Sequence, residues 1–270
     1  MELSDVVLSF FLTLVVGLSM GIGSLLSFVV KGRNKRFLAL SLSFSAGIMI
    51  YVSFMEILPE GIETIERHLQ NGKGETIGLI SFFGGIILIA IIEKLIHSIG
   101  GDVHVHENEI LDDHKHNGHM ANLGIMSGVA IAIHNLPEGL AIFTAGLKDI
   151  TVAIPIAAAV IMHNIPLSIA ISVPIFYATN SRRKAFLFTL VVGLCQPLGA
   201  VIGYLLFSQF FNDLLFGILF AIISGIMIFV ALDELLPTSQ KYEDHHISVY
   251  GAIVGMIVMA ISLAIFGHHH

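Results

Sequence analysis

The sequence predicts an all-α integral membrane protein of eight transmembrane helices built as inverted repeats, and three observations carry that expectation. Hydrophobic residues make up 55% of the 270 residues, charged residues only 12%, and mean hydropathy is +0.88, well outside the balance of a water-soluble domain. Eight apolar runs can be drawn, each near the ~20 residues that carry a helix through the hydrocarbon core. A stretch in the second run recurs in the seventh.

The runs cover about 6–30, 37–58, 77–97, 123–146, 151–177, 185–207, 214–236 and 248–266. The first is too long and too lightly charged at its start for a cleavable signal peptide, and no small-residue cleavage pattern follows it, so it is kept as a span. Cys195 lies inside a span, and as the single cysteine it excludes an internal disulfide. The net charge of −7 says little about partners, because charge distribution over the loops carries the information, and nothing indicates nucleic acid. The terminal His268-His269-His270 reads as part of a purification tag and is set aside.

Two loops are strongly basic: Lys31-Gly32-Arg33-Asn34-Lys35-Arg36 after the first span and Asn180-Ser181-Arg182-Arg183-Lys184 after the fifth. Cytoplasmic loops are enriched in Lys and Arg. With eight spans both fall on the same, inner side, so both termini lie outside. The acidic loop carrying Glu60, Glu63, Glu66 and Glu75 then faces outward as well. The loop at 98–121 falls inside and holds His104, His106, His114, His116 and His119 among Asp102, Asp112 and Asp113. That composition fits a metal-buffering tract, or a solvated linker, but not the membrane-embedded site.

Residues 47–59, from Gly47 through Glu56 to Pro59, match residues 225–237, from Gly225 through Glu234 to Pro237. An odd number of crossings separates the two copies, so they run in opposite senses. A second pair of near-copies lies in spans four and five: Ile133-His134-Asn135-Leu136-Pro137-Glu138-Gly139 and Met162-His163-Asn164-Ile165-Pro166-Leu167-Ser168. Inverted repeats are a recurring plan of secondary transporters, with the site near the midplane where the halves meet.

His134 and Glu138, four apart, share one helix face. His134 is eleven residues into its span, about 16 Å at the helical rise and close to mid-membrane. His163 lies at a similar depth. A lone intramembrane His or Asn is often a helix-to-helix hydrogen bond, and a lone proline a tolerated kink. Glu138 resists that account: an isolated carboxylate at this depth costs several kcal/mol unless paired or protonated, and no Lys or Arg is predicted near it. A bound cation is its natural partner. Imidazole with carboxylate suits zinc, and amide oxygen adds harder ligand character. His134, Glu138 and His163 are therefore the expected ligands, with Asn135, Asn164 and the mid-span Gln196 beside them. Glu56 and the Asp233-Glu234 pair sit near the outer and inner mouths, where snorkelling carboxylates and entry or exit roles are equally open.

These residues resemble the ZIP family of divalent-metal transporters, chiefly its broad-specificity bacterial members. The resemblance rests on eight spans, a His-rich third loop, His134-Asn135-x-Pro137-Glu138-Gly139 and the Glu234-Leu235-Leu236-Pro237 ending of span seven, and it covers nearly the whole chain. It implies one transmembrane domain, 1–270, with helices in a 3+2+3 arrangement. It further implies a homodimer in the bacterial inner membrane that moves zinc, and also iron, manganese, cobalt or cadmium, into the cytoplasm by an elevator-like motion. The site would lie between spans four and five. No cofactor is implied beyond the transported ion.

The chain departs from the family where Leu167 replaces the usual Glu of span five and Gln196 replaces a frequent Glu of span six. Two divalent cations within ~4 Å would then repel strongly with one carboxylate between them, so a single-ion site is expected. A rival reading is a membrane metal sensor, or a transport-weakened homologue that binds metal without carrying it. An intramembrane metalloenzyme is not supported, since no His-Glu-x-x-His run or activated nucleophile is present.

Overall fold

The computed structural model describes residues 3–28, 35–100, 113–207 and 212–266, and every regular element among them is helical. That is what lipid demands, because a helix satisfies its own backbone hydrogen bonds. The elements are α1 (Leu3–Ser27), α2 (Lys35–Val52), α3 (Leu58–Leu69), α4 (Gly74–Gly100), α5 (Asp113–Lys148), α6 (Ile150–Thr179), α7 (Arg182–Gly193), α8 (Cys195–Phe207), α9 (Asp213–Val230), α10 (Leu236–Tyr242) and α11 (His245–Phe266). Seven stretches among the described residues are long and apolar enough to cross a membrane: Ser4–Ser27, Lys35–Leu69, Gly74–Leu95, Ile150–Thr179, Arg182–Leu206, Asp213–Tyr242 and His245–Ile265. The expected span at 123–146 lies within α5.

Of the expected loop 98–121, residues 98–100 end α4 and residues 113–121 begin α5; the rest, with His104 and His106, lies outside the described residues. The α5-to-α6 turn is tight for a clear reason. Asp149 caps α6, its carboxylate accepting from the Thr151 amide at 2.8 Å.

Spans two and seven run past the prolines expected to end them. Each contains a wide π-turn, Ser53–Ile57 and Ala231–Leu235, directly before Leu58-Pro59 and Leu236-Pro237. Proline has no amide hydrogen and its ring collides with the carbonyl four residues back, here Met55 and Asp233. Widening the turn absorbs the conflict: the amides of Leu58 and Leu236 bond five residues back, to the Ser53 and Ala231 carbonyls. Glu56, Asp233 and Glu234 lie in these widened turns. Span six has an irregular turn at Leu194, between α7 and α8, where Pro197 cannot donate to the Gly193 carbonyl, and it remains one crossing stretch, Arg182–Leu206.

The helices sort into two groups. α1, α5, α6 and the α7–α8 pair pack on one another, while α2–α3, α4, α9–α10 and α11 form the second group. The groups meet chiefly along α2 and α6, and also along α5 and α9. The sequence repeat is carried into the packing: a side chain at Gly47 would strike the Ala252 backbone of α11, and one at Gly225 the Phe82 backbone of α4. With no hydrophobic force between helices in lipid, such close backbone approach supplies the packing attraction.

At the end of α5 a polar tie crosses between the groups. Lys148 Nζ donates to Glu60 Oε1 and Thr64 Oγ1 of α3, both at 2.7 Å, and its ammonium lies 4.5 Å above the Phe216 ring of α9. Arg67 also reaches Glu60, at 3.3 Å. Lys148→Met should lower stability by about 1 kcal/mol, because both partners are only partly exposed. Thermal unfolding in detergent should show a fall of about 2–4 °C that shrinks in 1 M salt. An unchanged melting temperature at low salt would count against the tie.

Candidate metal centre

Three elements build the centre. α5 supplies His134, Asn135 and Glu138, α6 supplies His163 and Asn164, and the first turn of α8 supplies Gln196. The structure links His134, Glu138, His163, Gln196 and Asn164 through direct contacts, while Asn135, beside His134 in sequence, is held by Met20 and Val192; each of the six is at most 1% exposed. α5 and α8 meet closely enough for this because of two reciprocal glycines: a Cβ at Gly139 would overlap the Gln196 backbone, and a Cβ at Gly199 the Leu136 backbone.

Glu138 lies at the middle. Its Oε1 is 2.9 Å from His163 Nε2 and 3.4 Å from His134 Nε2, while its Oε2 accepts from Gln196 Nε2 at 2.8 Å. The two imidazole contacts are short in distance but misdirected, so neither Nε2 nor Oε1 has a hydrogen-bond partner. One ligand atom from each of His134, Glu138 and His163 lies within 4.8 Å of the others. Buried polar atoms are normally satisfied, and this concentration of unsatisfied ones fits a site for a cation.

The asparagines are oriented by their surroundings. Asn135 Nδ2 donates to the Val192 carbonyl at 2.8 Å and to Met20 Sδ at 3.3 Å. Asn164 Nδ2 is within 3.2 Å of Gln196 Oε1, 3.3 Å of the Val16 carbonyl and 3.4 Å of Ser19 Oγ. With the NH2 groups committed, both Oδ1 atoms are left buried and unpartnered. Gln196, by contrast, has both ends of its amide engaged.

Sequence reasoning missed the contributions of α1 and α2. Val16, Ser19 and Met20 hold the asparagine amides, and Ser45 of α2 donates to the His163 carbonyl at 3.1 Å. A backbone carbonyl, a thioether and lone serine hydroxyls within apolar runs form no spaced pattern, so no motif in the sequence marked them. Leu167, one helical turn beyond His163, is fully buried in the apolar cluster. Glu234 lies in the widened turn Ala231–Leu235 of span seven.

Comparison with known proteins identifies the family of the chain. Residues 3–263 match the family model described as ZIP zinc transporter. The zinc transporter ZupT of Streptococcus mutans serotype c is 47% identical, over 96% of this chain and 97% of that protein. The zinc transporter ZupT of Clostridium perfringens is 45% identical, with 98% of each chain covered, and that of Lysinibacillus sphaericus is 45% identical over 97% of this chain and 98% of its own. On these matches, and with its apolar helices, the chain is a multi-pass membrane protein that belongs to the ZIP zinc transporter family.

Proposed function

We propose that this protein carries zinc across the bacterial inner membrane into the cytoplasm, one ion at a time, through a site made by His134, Glu138 and His163. The observation that carries the proposal is the convergence of two imidazole nitrogens and one carboxylate oxygen, all buried and without hydrogen-bond partners, between α5 and α6. Neutral imidazoles and a single carboxylate favour zinc over manganese, and iron, cobalt and cadmium are further candidates. The oxygens of Asn135 and Asn164 complete the donor set. A site of this size, with few charges, binds an ion firmly enough to admit it and weakly enough to release it.

Eight crossings in a 3+2+3 plan, with both termini outside, accommodate α5 as the eighth span and place both basic loops inside. The two helix groups suit an elevator-like motion in which the group bearing the metal centre slides against the other along α2–α6 and α5–α9. A homodimer would present the second group as the fixed frame.

The competing account, a sensor or weakened homologue that binds without transport, draws on Leu167 and Gln196, which leave Glu138 as the one carboxylate of the centre among the described residues. Uptake of radioactive zinc into proteoliposomes separates the two. Transport is expected to scale with internal volume; retention that scales only with protein amount would overturn the proposal.

Leu167→Glu tests the single-ion stoichiometry. It puts a carboxylate at the position relative to His163 that Glu138 occupies relative to His134, four residues on. An unpaired carboxylate there costs several kcal/mol, so the metal-free variant should melt well below the parent protein and recover when zinc is added. Calorimetric titration should give two zinc ions per chain against one for the parent. Two ions in the parent would refute the single-ion site.

A further inference from the structure

The fully buried carboxamide of Gln196 links two of the site's side chains, its Nε2 donating to Glu138 Oε2 at 2.8 Å and its Oε1 accepting from Asn164 Nδ2 at 3.2 Å. An ionised carboxylate can only accept, so the NH2 of Gln196 must face Glu138. The carbonyl oxygen must then face Asn164, and Asn164 must turn its own NH2 toward it. Each donation runs one way, from Asn164 to Gln196 to Glu138. The chain leaves two buried oxygens unpartnered, Glu138 Oε1 beside the two imidazoles and Asn164 Oδ1.

We propose that Gln196 is a positioning residue that sets ion selectivity: by holding Glu138 Oε2 and turning Asn164, it leaves the metal one unpartnered carboxylate oxygen and disfavours bidentate binding. This rests on the metal binding at His134, Glu138 and His163. A one-oxygen carboxylate beside two imidazoles matches the low coordination number of zinc, whereas larger, harder ions gain from two carboxylate oxygens and more oxygen ligands. The residue acts through Glu138 and Asn164, not as a ligand, since neither end of its amide is free.

The test is calorimetric titration of the purified full-length protein with zinc and, separately, manganese. Gln196→Leu removes the donor to Glu138 and the acceptor for Asn164. Zinc binding should weaken about 10–100-fold, the usual effect of losing a group that orients a metal ligand. The zinc-to-manganese affinity ratio should fall at least about fivefold as the freed carboxylate binds through both oxygens. Gln196→Met keeps the length and likewise neither donates to Glu138 nor accepts from Asn164, so it should lower the ratio in the same direction. Should Gln196→Leu fail to fold, Gln196→Met decides.

A residue that merely supports the fold would change stability and leave the ratio alone, so ratios within about twofold of the parent in the folded variants would overturn the proposal. Glu138→Ala, titrated alongside, separates the two failures. If it binds zinc like the parent, the site assignment is wrong. If it abolishes binding while the Gln196 variants keep the parent ratio, only the positioning role is wrong.

Discussion

Glu138→Ala is expected to reduce zinc uptake into proteoliposomes to the level of protein-free vesicles. Glu138 is the only carboxylate within the candidate centre among the described residues, and its Oε1 lies 2.9 Å from His163 Nε2 and 3.4 Å from His134 Nε2. Without it the site offers a divalent ion neutral donors alone, in surroundings where an uncompensated charge costs several kcal/mol. Affinity should fall by more than the 10–100-fold that accompanies loss of an outer partner. The alanine variant also strands Gln196 Nε2, a buried donor whose isolation costs about 1–3 kcal/mol. Glu138→Gln is the cleaner probe, because its amide oxygen can still accept from Gln196 while the charge is gone. Both variants should be inactive, and only the alanine variant should melt early. Normal uptake by Glu138→Gln would show that the carboxylate does not hold the transported ion.

Gly139→Val should be nearly as damaging without touching a ligand. A Cβ at Gly139 has no room beside the Gln196 backbone, and the reciprocal contact at Gly199 with Leu136 prevents α8 from yielding locally. The helices must separate, which withdraws Gln196 from Glu138. Overpacking of this kind costs about 1–3 kcal/mol, and here it also loosens the centre. A fall in melting temperature of about 2–4 °C per kcal/mol should accompany weaker zinc binding. Gly84→Ala is the control, since nothing lies within 4 Å of a Cβ built there. It should be neutral or stabilising by up to about 1 kcal/mol on helix propensity. If Gly139→Val binds zinc like the parent, close α5–α8 approach is not needed for the centre.

Much of the centre was readable because the spacing that creates it is local. His134 and Glu138 share a face by helical period alone, and the depth of His134 and His163 follows from counting residues along an apolar run. The π-turns were not readable. The prolines at 59 and 237 looked like span ends, and whether a helix stops at a proline or widens to pass it depends on the neighbours that pack against the continued segment. Likewise, the irregular turn at Leu194 divides a single apolar run into α7 and α8, with Gln196 in the first turn of α8.

The sequence by itself determined membrane residence, the repeats, and the pairing of a carboxylate with two imidazoles. Composition, period and depth are properties of contiguous residues, so these needed no knowledge of what lies next to what. The tertiary structure alone decided which oxygens remain open to an ion. That choice depends on acceptors from Val16, Ser19, Met20 and Val192, far along the chain, two of them backbone carbonyls that every residue type shares.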